Sequence, residues 1–248
     1  MPDVPDAATG TPPPPLEPAF AAAGVAPPRP LVWVGTATSG AAVWSSPVAN
    51  GAGLGLWREM REAAAATGAW PVLTGSVPVP PSWHLDRGLR AGAVDLPDAE
   101  SLLRSARRSR SDPEDGFRTR LEPADEATVE ADLSAGYLGL VTEVAGWDLP
   151  TAVGFDGVGG WSGVEHAAVL RMLGERYGAE VAALTLDSVG LVVRRPPRTH
   201  EDAFAAAELV YAYCPDVVTH GVRTLWALAT TVAVSPAWSL RWSAPPPR

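Results

Sequence analysis

The sequence predicts an α+β protein: a C-terminal helix-strand-strand-helix-helix-strand unit with a mixed or antiparallel sheet, preceded by a smaller N-terminal α/β region. Three observations carry this. Helical periodicity and short β-rich runs alternate from residue 161 to 242. Two of those runs, 180–186 and 189–194, meet at Asp187-Ser188, the spacing of a tight hairpin. Upstream, an amphipathic stretch at 54–66 leads directly into the apolar run 70–73, half of an α/β layer.

Residues 1–30 are dominated by proline and alanine, including Pro12 to Pro15, and hold few large apolar groups to offset the entropy of ordering. They read as a disordered or extended tail. Strands follow at 31–34 and 42–44, bounded by glycine and serine. Trp57, Met60 and Ala64 stand at helical spacing, and Gly68 supplies a stop. The N-terminal α/β region therefore spans 31–76.

Residues 77–135 are rich in proline, arginine and aspartate and read as a connecting or inserted region. It contains a helix from an Asp98 cap to about Arg108 and a second helical pattern at 125–134. The C-terminal domain, 136–248, opens with a strand at 137–144. The glycines between 147 and 163 lack the lysine and hydroxyl ending of a phosphate loop, so they read as a turn-rich connection.

The rest of the chain has the clearest grammar. Ala167, Leu170, Leu173 and Tyr177 form a helical stripe closed by Gly178. Thr199 and Asp202 have capping spacing, and the helix they begin carries the stripe Ala203, Ala207, Val210, Cys214. Pro215 disfavours helical backbone at Cys214 and ends the helix. A helix at 224–233 and a strand at 238–242 complete the unit.

Composition narrows the function. The formal net charge of −9 over 248 residues repels phosphate backbones and anionic membranes, so neither nucleic acid nor membrane is an expected partner. A single cysteine permits no intramolecular disulfide and no thiolate set for structural zinc. With no basic-then-apolar leader at the N-terminus, a reducing, cytoplasmic setting is expected. Ten tryptophans are the unusual feature. Most are expected in the core, although tryptophan is also a favoured binding anchor.

The most distinctive segment is Tyr211-Ala212-Tyr213-Cys214-Pro215-Asp216. Read as chemistry, Cys214 is a nucleophile, Asp216 a supporting carboxylate, and His220 or His200 the base, which requires a lowered thiol pKa. Read as structure, the thiol continues a buried stripe and Asp216 caps the turn after Pro215. A helix C-terminus raises a thiol pKa, which favours structure. The histidines at 84, 166, 200 and 220 include no pair on one helical face, so no metal site and no cofactor are expected.

Val169-Leu170-Arg171, Glu175-Arg176-Tyr177-Gly178, Arg195-Pro196-Pro197, Ala207-Glu208, Tyr213-Cys214-Pro215-Asp216, Gly221, Thr224-Leu225 and Trp238 form a pattern that resembles the bacterial domain-of-unknown-function family 4253. The likeness covers residues 161–242. The chain departs from that pattern at Leu173-Gly174 and at Leu240-Arg241-Trp242-Ser243. The resemblance implies kinship without an activity.

The expectation is a non-catalytic binding or regulatory protein acting through a tryptophan-rich surface of the C-terminal domain. Trp161, Tyr213, Asp216, Trp226 and Trp238 are its binding residues, and the partner is another protein or a small ligand. The alternative is a thiol-dependent enzyme centred on Cys214, with Asp216 and His220.

Overall fold

The computed structural model describes residues 12–37, 39–49, 51–85, 95–108, 136–156 and 158–243. The helical pattern read at 125–134 lies outside these residues, as do the first eleven of the proline-rich tail. The strands are β1 (Val32–Thr36), β2 (Ala42–Val48), β3 (Ala69–Gly75), β4 (Gly136–Thr142), β5 (Ala179–Leu184), β6 (Ser188–Val193) and β7 (Ala237–Arg241). They form one seven-stranded sheet in the order β1-β2-β4-β3-β5-β6-β7. Pairing is antiparallel throughout except between β3 and β5, where Leu73 lies opposite Ala183 in parallel register.

Strand periodicity sends alternate side chains into two cores. On one face, Trp44, Leu73, Leu138 and Leu140 pack under α1 (Glu17–Ala23) and α2 (Gly53–Thr67). On the other, Val43, Val72, Val141, Val189, Leu191, Trp238 and Leu240 pack under α3 (Ala99–Arg108), α4 (Leu149–Val153), α5 (Gly163–Tyr177), α6 (His200–Tyr213) and α7 (Leu225–Val234). The result is an α+β fold with a mixed sheet between two helical layers.

The local signals resolve into caps and stops. Gly68 and Gly178 both adopt left-handed backbone, at φ 68° and φ 62°, where a Cβ would be strained. Asp98 accepts from the Ser101 amide at the start of α3. The Thr199 hydroxyl accepts from the Asp202 amide and opens α6. The 180–194 hairpin is present as β5 and β6, antiparallel.

The tail differs from its reading. Residues 17–23 form α1, and Leu16 and Phe20, one helical turn apart, are buried against the α2 layer. A composition dominated by proline and alanine conceals a single well-spaced apolar pair. Pro18 sits in the first turn, where its missing N–H costs nothing.

The strand at the head of the C-terminal stretch is not paired within it. β4 lies between β2 and β3, and β5 takes β3 as its parallel neighbour, so residues 31–76 supply one end of the sheet and its central strand, β3. A fragment comprising residues 136–248 leaves β4 without either partner and exposes its apolar side chains. It is expected to show no cooperative thermal transition by circular dichroism; a sharp, reversible melt would contradict this topology.

Candidate functional site

The site is built where α6 stops. Pro215 cannot continue the helix, and Cys214 leaves helical backbone at φ −129°, ψ 87°. The chain then makes a π-helical turn, Val217–Val222, in which Gly221 departs from helical angles. Arg223 closes the turn at φ 73°, an uncommon conformation for a residue with a side chain. Thr224 caps α7 by accepting from the Ala227 amide. Wide turns of this kind concentrate at functional sites.

The Tyr-Cys-Pro-Asp segment anchors this turn at both ends. Tyr213 is fully buried, its hydroxyl 2.5 Å from His166 Nδ1 and its carbonyl accepting from Trp161 Nε1 at 3.0 Å. Its ring meets Trp161 and Trp242 edge-on. Burial raises the Tyr213 hydroxyl well above its usual range and lowers His166 to about 4. The pair is therefore neutral at physiological pH and acts as a polar pin within an aromatic cluster.

Cys214 and Asp216 cover the C-terminal end of the sheet's open edge. β7 is the terminal strand, and the Trp242 amide donates to Asp187 on the β6 side at 2.9 Å. The backbone at 241 and 243 must then face outward, because strand groups alternate. The Cys214 thiol donates to the Arg241 carbonyl at 3.2 Å, and Asp216 Oδ2 accepts from the Ser243 amide at 2.6 Å. Two side chains two residues apart thus meet two backbone groups two residues apart, as a neighbouring strand would.

Beside this latch lies a cleft of about 480 Å³. Val210, Val217, Val222, Leu228, Val232 and Trp238 supply apolar walls, and Asp216, His220 and Ser243 make a polar end. Asp216 Oδ1 accepts from the Thr219 hydroxyl at 3.1 Å and lies 3.3 Å from His220 Nδ1. Ser243 Oγ is 3.2 Å from the same nitrogen. A serine-histidine-aspartate relay needs carboxylate and nucleophile on opposite ring nitrogens, so this trio is not one.

Among the catalytic candidates, Asp216 and His220 come together, whereas Cys214 is 0% exposed and points its sulfur at the Arg241 carbonyl. Among the binding candidates, Trp161 and Tyr213 are interior, and Trp238 is buried while contributing to the cleft wall. Trp226 is 49% exposed and stacks on His200 beside a groove of about 200 Å³ on the other side of α7. The tryptophans thus build the core rather than a continuous surface, because most of their indoles are enclosed between sheet and helices. Sequence reasoning missed His166, Thr219 and Ser243. A hydroxyl-bearing turn after Cys-Pro-Asp was the only available signal for Thr219, and nothing local marks the other two.

Architecture and cleft together define an α+β protein with a small, mostly apolar ligand-sized cavity at a latched sheet edge. Residues 137–243 match the family model described as Domain of unknown function (DUF4253), the family to which the signature pointed. No curated protein and no solved structure matches the chain.

Two measurements follow from the latch and the pin. Replacing Asp216 with alanine strips the Ser243 amide of its acceptor and should cost about 1–2 kcal/mol in urea unfolding, while His220→Ala, at an exposed ring, should stay within about 0.5 kcal/mol; equal effects would contradict the latch. His166 has a folded-state pKa lowered from 6.5 to about 4, so the unfolded chain binds the extra proton between those values. Stability is full above pH 6.5 and falls as pH drops towards 4, by about 3 kcal/mol from this group. In His166→Asn that part of the pH dependence should disappear, and an unchanged slope would contradict the assignment.

Proposed function

We propose that this is a non-catalytic binding or regulatory protein of the bacterial cytoplasm whose small ligand occupies the cleft between β7, the 217–222 turn and α7. One observation carries the reading: an apolar cavity of about 480 Å³, of the size that encloses small molecules, ends in three convergent polar side chains. The acidic charge and single cysteine support the cytoplasmic setting. The burial of Cys214 weighs against the thiol-dependent alternative.

A second reading, capture of a partner protein, draws on the outer face of α7 and its surroundings. Phe204, Trp226 and Val234 are exposed there, and the helix has no charged residue. Trp226→Glu separates the two readings, since it alters that face and leaves the cleft walls in place.

The test compares small molecules that co-purify with the wild-type protein and with Thr231→Trp, which fills the cleft from α7. A compound enriched on the wild type and lost in the variant is expected; equal recovery, or no enrichment at micromolar protein, would contradict the proposal. Alkylation tests the thiol alternative. Cys214 should be inert to iodoacetamide at neutral pH in the native state and react only on unfolding; rapid native labelling would restore catalysis as the better reading.

A further inference from the structure

Resting on the cleft as the binding site, we infer that its ligand is an apolar molecule with a cationic amine head, the amine seated at Asp216. Among the described residues, Asp216 is the one carboxylate that lines the cleft. Val210, Val217, Leu228, Val232 and Trp238 on the other walls offer a hydrocarbon contact surface, with Thr231 and Ser239 the uncharged polar residues among them. Position therefore fixes orientation: head at the latch, body along α7 and β7.

The sign of the head follows from charge. Arg241, the one guanidinium among the described residues lining the cleft, is paired with Asp187, its Nε 3.6 Å from that carboxylate, and so is drawn away from Asp216. Asp216 keeps a side-chain exposure of 21%, accepts from the Thr219 hydroxyl and the Ser243 amide, and lies 3.3 Å from His220 Nδ1. A carboxylate has about four acceptor positions, so at least one is left for an incoming donor. An ammonium supplies three donors, and the Ser243 hydroxyl stands beside Asp216 as a second acceptor. An anionic head would meet the same carboxylate with like charge in an apolar surround, where repulsion is strongest. The overall charge of −9 adds a field that gathers cations.

Calorimetric titration of the full chain with octylamine, octanol and octanoate at pH 7 tests this, using wild type, Asp216→Asn and Thr231→Trp. Asparagine keeps an acceptor for the Ser243 amide and removes the charge, and its unchanged melting curve confirms that the latch persists. Octylamine should bind the wild type at least about tenfold more tightly than octanol, with octanoate weakest, and Asp216→Asn should remove that preference. Thr231→Trp should abolish binding of all three. Octanol or octanoate binding as tightly as octylamine, in a manner lost in Thr231→Trp, would overturn the amine head and leave the cleft standing. Binding that survives Thr231→Trp, or no binding of any of the three, would overturn both.

Discussion

The structure around the cleft depends on two side chains that cover the end of one sheet edge. An exposed edge strand presents unpaired amides and carbonyls to anything that can add to it, and a folded chain must cover or pair them. Here Cys214 reaches the Arg241 carbonyl and Asp216 reaches the Ser243 amide, so the turn after α6 acts as a short stand-in for an eighth strand. That turn in turn frames one wall of the cleft. Without the closure, the π-helical segment would have no fixed position relative to β7, and the cavity would have no polar end.

The same geometry gives the Tyr-Cys-Pro-Asp signature a physical meaning at each position. Tyrosine fastens the end of α6 to α5 through His166 and to the segment before α5 through Trp161. Cysteine offers a small, buried, weak donor where a larger side chain would be forced against β7. Proline stops the helix so that the next residues can turn across the edge. Aspartate binds a backbone amide and organises Thr219 and His220 at the cleft mouth. A motif that reads like a nucleophile with its supporting acid is, in this arrangement, a device for joining a helix end to a strand edge.

How much of this was legible in the sequence depended on range. Gly178, the Thr199 and Asp202 pair, Pro215 and the inward stripe ending at Cys214 all rest on spacings of four residues or fewer, and each carries its signal in the chain. The order of the sheet is a matter of long-range pairing. Nothing local in Gly136–Thr142 tells it to insert between strands contributed by residues 42–48 and 69–75. Ser243 was invisible as a site residue for the same reason, since its amide matters only because β7 ends beside Asp216. Of the tryptophans expected at a binding surface, Trp161 and Trp238 are buried and Trp226 is exposed. Indole count alone does not distinguish a core from an anchor: Trp226, on α7, stacks on His200 in the open, whereas Trp161, ahead of α5, and Trp238, on β7, are buried.

The most direct measurement of the latch is hydrogen exchange at the Ser243 amide, resolved by nuclear magnetic resonance in the native protein. Held at 2.6 Å from a carboxylate, that amide should exchange far more slowly than a solvent-exposed coil amide and should resemble its neighbours in β7. Exchange at the rate of an open chain end would mean that the strand edge is not closed, and that the signature does something other than hold it.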